Sequence, residues 1–242
     1  KDVVLLALIL VIFAGKKYIK PIFNPLITNS IATLSLVLSL GFGYHVLMHL
    51  PSIDFRAYKI GDNLIENMSI PPDAPKAVQE FTWTFDVNGT QQTFVTEGSY
   101  PDVDGTYVGV ETKIIDEGFQ PSILDFSIES DSEDFTNYFL EQDLLLMIVS
   151  YNLETAEKKG LIKLKAISDK ALQKGYTVIG LSASGEDVKN RIKAEYNLNF
   201  DFFICDEKAL KTVVRSNPGV LELQKGTVHQ KVHWNDIEEL EL

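Results

Sequence analysis

The chain has 242 residues and a formal net charge of −12. The charge is unevenly distributed, because residues 1–50 carry four Lys and one Asp, whereas the remainder carries 18 Lys and Arg against 33 Asp and Glu. An acidic region without a basic stripe excludes nucleic acid as a partner, since phosphate binding needs clustered Lys and Arg. The single cysteine, Cys205, excludes an internal disulfide and a cysteine-based zinc site within this chain.

Two apolar segments occupy the N-terminal part of the sequence. Residues 3–14 are all apolar, and residues 31–50 carry no formal charge. A helix rises about 1.5 Å per residue, so the first segment reaches about 18 Å and the second crosses a hydrocarbon core of roughly 30 Å. We predict two transmembrane helices within residues 1–50. Since the chain begins at Lys1 and not at Met, we expect a fragment or a processed product whose first helix is truncated.

The loop between these segments predicts the topology. It carries Lys16, Lys17 and Lys20, which the positive-inside rule places in the cytoplasm. The acidic region after Leu50 then faces the opposite side of the membrane lipid bilayer. An alternative interpretation makes residues 1–15 the apolar part of a signal peptide, although the lysines follow the apolar run instead of preceding it.

His45 and His49 are spaced to share one helix face. Two imidazoles at that spacing are weak candidates for holding a metal, a haem or a quinone head group. The alternative places His49 in the interfacial zone beside Pro51 and gives His45 a hydrogen bond to a neighbouring helix. On that interpretation the chain has no cofactor and no metal site.

Residues 51–120 predict a tether and a small β module. The tether covers residues 51–76, where four prolines favour an extended chain without a packed element. In residues 77–120, aromatic side chains alternate with polar ones before Asn88-Gly89, a pattern typical of a β-hairpin with a type I′ turn. A third strand is predicted over residues 106–115.

Residues 121–242 alternate between strand and helix patterns. Leu144 to Val149 is an apolar run that predicts a fully buried strand, and Thr155 is the predicted cap of the helix that follows. Ser184 with Asp187 forms an approximate capping box, and Asn235 and Glu238 are predicted to cap the closing helix. The remaining predicted elements are a strand over 123–128, a helical turn over 135–140, strands over 176–181 and 200–204, a helix around Leu210 and a hairpin over 220–233.

This succession resembles the thioredoxin fold. The features that carry the resemblance are the central apolar strand leading into a long helix, a second β-α unit, and the Asn217-Pro218 bond before a hairpin with Lys225-Gly226 at its tip. In that family the proline that opens the hairpin is cis and lies beside the active site, so Pro218 is the matching residue. The strand with Asp125-Phe126 is similar to the start of the peroxiredoxin and TlpA-like branch. The resemblance implies an α/β thioredoxin-like domain over residues 121–242.

The sequence departs from this family where the family keeps its chemistry. The Cys-x-x-Cys motif follows the central strand, and the matching positions lie within Tyr151 to Thr155, where no cysteine occurs. Exchange needs a low-pKa thiolate and a second thiol. Cys205 follows a different strand beside Asp206 and is predicted to be buried. We therefore predict no catalytic residue and a candidate docking loop for an extended peptide, formed by Tyr151, Asn152, Glu154, Asn217 and Pro218.

The N-terminal part carries a second resemblance. Two stretches are similar to the C-terminal portion of DoxX/MauE-like membrane proteins of Bacteroidetes-type bacteria that carry a thioredoxin-like tail. They are Gly15-Lys16-Lys17-Tyr18-Ile19-Lys20-Pro21-Ile22-Phe23-Asn24-Pro25 and the stretch from His49 to Gly61. In that group a DoxX unit of four helices comes first, so residues 1–14 correspond to its last helix. The relationship implies a role near quinone- or thiol-linked electron transfer, with the cysteine-bearing loop upstream of Lys1.

Two functional hypotheses follow. In the first, the chain is anchored in the bacterial inner membrane, and its thioredoxin-like domain faces the periplasm as a binding or scaffold module for a protein partner in extracytoplasmic redox chemistry. In the second, the intact protein is a thiol- or quinone-linked oxidoreductase whose catalytic cysteines lie upstream of this sequence. Reading the residues upstream of Lys1 discriminates between them, because paired cysteines there favour the enzyme.

Overall fold

The computed structural model describes residues 2–18, 23–130 and 133–242. The chain divides into two compact units, the first ending at His49 and the second beginning at Leu50. In the first unit, helix α1 (Asp2–Gly15) is followed by a 3-10 turn (Lys16–Tyr18) and by helix α2 (Pro25–Met48).

Helix α2 begins at Pro25, ahead of the predicted start at Ile31. The Asn24 side chain accepts a hydrogen bond from the Ile27 N–H at 2.9 Å, and Pro25 occupies the first helical position, where no N–H is needed. Among the described residues, α2 is the one helix long and apolar enough to cross a membrane. The structure therefore supports one membrane-spanning helix where the sequence predicted two, because α1 has only 14 residues.

Residues 54–68 form a packed segment, which corrects the prediction of a tether over residues 51–76. Tyr58 and Leu64 are buried in the core, and helix α3 (Leu64–Met68) is capped by Asn63. The Gly61 N–H donates to the Val228 carbonyl and the Leu64 N–H to the Gly226 carbonyl, both at 2.8 Å. Three of the four prolines that predicted an extended chain fall after α3, so their effect is confined to the end of this stretch.

The predicted β module is an antiparallel sheet with strand order β2-β1-β3. Its strands are β1 (Val78–Val87), β2 (Thr90–Thr96) and β3 (Thr106–Asp116). Asn88 and Gly89 have φ angles of 56° and 81°, which are the left-handed values of the predicted type I′ turn. The Phe119 N–H donates to the Pro75 carbonyl at 2.8 Å and so joins the two ends of the module.

A seven-stranded sheet organises the rest of the second unit within the described residues, in the order β10-β9-β6-β7-β8-β4-β5. Its strands are β4 (Glu129–Ser130), β5 (Glu133–Asp134), β6 (Leu145–Val149), β7 (Thr177–Ser182), β8 (Asp201–Ile204), β9 (Gly219–Gln224) and β10 (Thr227–His233). The helices are α4 (Thr136–Leu140), α5 (Lys158–Gln173), α6 (Glu186–Glu195) and α7 (Glu207–Val213), followed by a closing 3-10 helix (Trp234–Glu239).

Strand β6 is the centre of this sheet. It runs parallel to β7 and antiparallel to β9, and all five of its residues are buried. Its alternating side chains enter two cores: Leu145, Met147 and Val149 join one with α7 and Leu64, while Leu146 and Ile148 join the other with α5 and α6. The fold is thioredoxin-like. It consists of a central βαβ unit (β6-α5-β7), a further parallel strand (β8), a helix (α7) and a terminal hairpin (β9-β10).

The predicted strand over residues 123–128 is a buried loop. Ile123, Phe126 and Ile128 face the core, but regular pairing begins only at Glu129. The backbone of Ile128 is satisfied locally, since its N–H donates to Thr136 Oγ1 and its carbonyl accepts from the Phe135 N–H, both at 2.8 Å. The apolar pattern of residues 123–128 reflects burial in the core and not strand pairing, so the predicted strand was wrong.

Three predicted helix caps also differ from the structure. Thr155 ends a 3-10 turn (Leu153–Thr155), and Glu157 caps α5 instead. Ser184 accepts a hydrogen bond from the Leu153 N–H at 2.9 Å, so the cap position of α6 falls to Gly185. The closing helix is capped by the His233 ring, which accepts from the Asn235 N–H at 3.2 Å; Asn235 and Glu238 do not cap it.

Candidate functional site

The loop that follows β6, residues 150–157, is held in one conformation by its own side chains. The Asn152 side-chain oxygen accepts hydrogen bonds from the N–H groups of Glu154 at 3.0 Å and Thr155 at 3.2 Å. The Ser150 N–H donates to the Leu181 carbonyl at 2.9 Å, which ties the start of the loop to β7. Short polar side chains that bond to nearby backbone groups favour such turns over a continued helix.

The segment before β9 lies against this loop. The Asn217-Pro218 peptide bond is cis, as the resemblance implied. The Asn217 side-chain amide donates to the Asn152 carbonyl at 2.8 Å, and its oxygen accepts from the Ser150 hydroxyl at 2.7 Å. The Asn217 carbonyl accepts from the Glu157 N–H at 2.8 Å. These bonds join the loop and the proline segment into one fixed corner.

Gly160 allows helix α5 to approach Pro218 closely. A Cβ atom at this position would lie 2.8 Å from Pro218 Cδ and 2.8 Å from Trp234 Cβ. Both distances are too short for an unstrained contact, so a glycine in the first turn of α5 is needed for this packing. Gly160 was not predicted to matter, because a lone glycine in a helical pattern has no distinctive signal.

An open cleft of about 400 Å³ borders this corner, and we call it the docking cleft. Its lining includes Tyr151, Lys211, Arg215, Ser216, Asn217 and His233. The Lys211 ammonium group lies 5.0 Å from the centre of the Tyr151 ring, a cation–π contact. No acidic side chain lines the cleft in the described part of the chain.

The predicted docking residues have different positions around the cleft. Tyr151 and Asn217 line it, whereas Asn152 supports the loop and Pro218 packs against α5. Glu154 forms a loose, exposed ion pair with Arg191 at 3.7 Å and does not line the cleft. Two cations that line the cleft, Lys211 and Arg215, were not predicted from the sequence, although Arg215 is only two residues from Asn217.

The backbone of Asn217 keeps one polar group free. Within the described residues its N–H has no hydrogen-bond acceptor, although its carbonyl and side chain are all bonded. Backbone donors in folded proteins nearly always find a partner, in the protein or in water. This N–H therefore lacks a partner among the described residues, in a residue that lines the docking cleft.

Cys205 lies away from the cleft. It follows β8, is 2% exposed and belongs to the apolar core. Burial raises the pKa of its thiol to about 11, and the nearby charges of Asp206 and Glu129 act in the same direction. Since the thiolate is the reactive form, burial and the raised pKa both disfavour reaction of this thiol near neutral pH. The predicted burial of Cys205 is confirmed.

The two histidines of the first unit are close in space, although they do not share a helix. Helix α2 ends at Met48, and His49 is its C-cap in an extended conformation. The ring centroids of His45 and His49 are 4.7 Å apart. A metal, haem or quinone role for this pair stays a prediction, and no group of three or more metal-ligating side chains occurs among the described residues.

No protein-family model matches the chain, and no curated protein is significantly similar to it. Solved structures do resemble it. A thiol:disulfide interchange protein from Bacteroides sp. is 15% identical, with a TM-score of 0.37, over 48% of this chain and 81% of its own. A DsbE thiol:disulfide interchange protein from Chlorobium tepidum is 10% identical, with a TM-score of 0.37, over 45% and 80%.

A third similar structure is the apo Sco1 protein from Thermus thermophilus. It is 12% identical, with a TM-score of 0.36, over 47% of this chain and 83% of its own. Identities and scores this low carry no argument about function. The thioredoxin-like fold of the second unit rests on its strand order, its helix connections and its cis-proline segment.

Proposed function

We propose that this chain is a membrane-anchored, thioredoxin-like binding module. It holds an extended segment of a partner protein in the docking cleft and performs no thiol chemistry of its own. The observation that carries the proposal is the unpaired Asn217 N–H at the edge of an open cleft. An extended peptide binds such a group through its backbone carbonyl, independently of its side chains.

The rigidity of the corner supports the same proposal. Asn217 is fixed by hydrogen bonds with Ser150, Asn152 and Glu157, so its N–H is positioned before a partner binds. A site that is already ordered loses little conformational entropy on binding, and this saving is retained as affinity. The Tyr151 ring adds an apolar surface with a polar edge, a combination enriched at protein interfaces.

Two observations support the absence of thiol chemistry, one at the cleft and one at Cys205. The cleft has no cysteine, and Cys205 is inaccessible and has a raised pKa. Thiol–disulfide exchange begins with attack by a thiolate, so neither location supports it.

The cellular setting is also a proposal. Helix α2 has the length and composition of a membrane anchor. From the lysine-rich loop we propose the bacterial inner membrane with the second unit in the periplasm, and from residues 1–61 a partnership with a DoxX-type redox membrane protein. The alternative oxidoreductase, with cysteines upstream of Lys1, stays a prediction about residues outside this sequence.

The test is peptide binding followed at single residues. The full chain, prepared in detergent micelles with isotope-labelled asparagine, is titrated with a short extended peptide rich in Thr and Val, and amide signals are recorded by NMR. We expect the amide signals of Asn217 and Asn152 to shift together, with Asn88 and Asn137 unchanged as internal controls. The proposal would be overturned if the peptide does not bind, or if the amide signals of distant asparagines shift to saturation while that of Asn217 does not.

A further inference from the structure

The charge at the docking cleft has the opposite sign to that of its surroundings. Residues 51–242 carry 18 basic and 33 acidic side chains, yet the two charged side chains that line this cleft, Lys211 and Arg215, are both cationic. A second cleft, of about 260 Å³, adjoins it, and we call it the arginine cleft. Its lining includes Leu50, Asp54, Phe55, Arg56, Arg215 and Lys231, so Arg215 belongs to both clefts.

Two of the four cations around these clefts are already paired. Lys231 is buried and donates hydrogen bonds to Asp54, to the Tyr58 carbonyl and to the Val213 carbonyl. Lys211 pairs with Glu207 at 2.6 Å across one turn of α7. The charge of Asp54, the one carboxylate in the arginine cleft, is therefore neutralised by Lys231.

The other two cations form no close ion pair among the described residues. Arg56 donates to the carbonyls of Lys211 at 2.7 Å and Thr212 at 2.8 Å, which fixes its guanidinium group without neutralising it. The Arg215 side chain has no hydrogen-bond acceptor and no ion-pair partner in the described part of the chain. Burial lowers the pKa of Arg56 and the positive charge of Arg215 lowers it further, whereas the charge of Asp54 acts in the opposite direction. The two guanidinium groups therefore lie close enough to repel each other, and Asp54 offsets only part of this.

A bound carboxylate would relieve this repulsion. Guanidinium groups match carboxylates in geometry, and one that is held in place by backbone carbonyls loses little entropy on pairing. Arg215 is two residues from the unpaired N–H of Asn217, and both line the docking cleft. An extended chain advances about 3.3 Å per residue, so a peptide bonded to Asn217 places a side chain one or two residues further on near Arg215.

We infer that the segment bound in the docking cleft is acidic, with an Asp or Glu carboxylate paired to Arg215 and the adjacent Arg56. This inference rests on the proposed function, because it names the chemistry of the same occupant. The opposite charge of the remaining surface would repel acidic segments elsewhere, so the unpaired arginines also determine where such a segment binds.

The test compares two fluorescent peptides that differ at one central position, Asp in one and Asn in the other. Both are titrated against the full chain in neutral detergent, and binding is followed by anisotropy. We expect the Asp peptide to bind about fivefold more tightly, which corresponds to one partly exposed ion pair. Arg215→Gln should remove this preference, whereas Lys170→Gln, which removes an exposed charge on α5, should retain it.

The outcomes separate this inference from the proposed function. Equal affinity for the two peptides overturns the acidic assignment while peptide docking still stands, and no binding of either peptide overturns both. A preference that Lys170→Gln weakens as much as Arg215→Gln shows general charge attraction and contradicts a local site. Displacement of the Asp peptide by short-chain phosphatidylglycerol at equal concentration assigns the arginines to a lipid anion instead.

Discussion

Two of the loops that connect a parallel strand to a helix in the second unit have opposite properties. The loop after β6 is polar, opens onto the docking cleft and contains no cysteine. The loop after β8 contains Cys205, which is buried, and Asp206, which caps α7 by accepting from the N–H groups of Lys208 and Ala209. Among the described residues, the loop that opens onto the cleft therefore carries no thiol, and the loop that carries the thiol buries it.

The largest expected effect comes from moving the thiol between the two loops. Thr155→Cys in a Cys205→Ala background places a single thiol on the exposed loop. An ordinary exposed thiol has a pKa of about 8.5, so at about pH 8 we expect it to react with an aromatic disulfide reagent roughly a hundredfold faster than Cys205. The native chain is the matched control, since it also carries one thiol. Equal rates would show that Cys205 is accessible.

The second prediction concerns the support of α7, the helix that follows the Cys205 loop. Lys231→Met removes three hydrogen bonds and leaves Asp54 partly buried without its partner. We expect the free energy of unfolding to fall by about 3 kcal/mol, measured by urea unfolding in detergent with tryptophan fluorescence. The double variant Asp54→Asn/Lys231→Met should lose less than the single one, because no unpaired charge remains. A larger loss in the double variant would contradict this.

The third prediction concerns the support of the loop after β6. Gly160→Ala forces a Cβ atom against Pro218 and Trp234, so we expect a loss of about 2 kcal/mol in the free energy of unfolding. In an unobstructed helix the same change stabilises by roughly 1 kcal/mol. Gly109→Ala, in strand β3, is the control for an added methyl group without crowding, because no atom lies within 4 Å of the added Cβ. A stabilised Gly160→Ala variant would show that the contact with the proline is loose.

The smallest expected effect is the contribution of Asp54 to the stability of the chain at acidic pH. Burial alone would raise the pKa of Asp54, but the hydrogen bond from Lys231 and further favourable interactions outweigh it and lower the pKa. The stabilisation is therefore present above the unfolded-state pKa of about 3.9 and is lost as the pH falls through the folded-state value. Asp54→Asn should accordingly show a smaller loss of stability than the native chain when the pH is lowered below about 4. Identical acid profiles would exclude this contribution.

Much of the fold was predictable from local patterns. The apolar run of β6, the Asn88-Gly89 turn and the proline before β9 each have a strong signal of their own, and all three were confirmed. The packing of Tyr58 and Leu64 was not predictable in the same way, because these two residues show no helical or strand periodicity and are buried by distant parts of the chain.

The candidate site was predictable only in part. Tyr151 and Asn217 were identified because a resemblance marked their positions, and both line the cleft. Arg215 and Lys211 were missed because an isolated charge near a loop is usually solvated. Their importance depends on which carboxylates lie nearby, and that is a property of the folded chain.

The central claim is that this thioredoxin-like unit binds without exchanging thiols. The most direct measurement is the rate at which the full chain, reduced and in detergent, catalyses exchange between glutathione and a disulfide-containing peptide. The account predicts a rate equal to that of buffer, in the native chain and in Cys205→Ala alike. Turnover in the native chain that disappears in Cys205→Ala would contradict it.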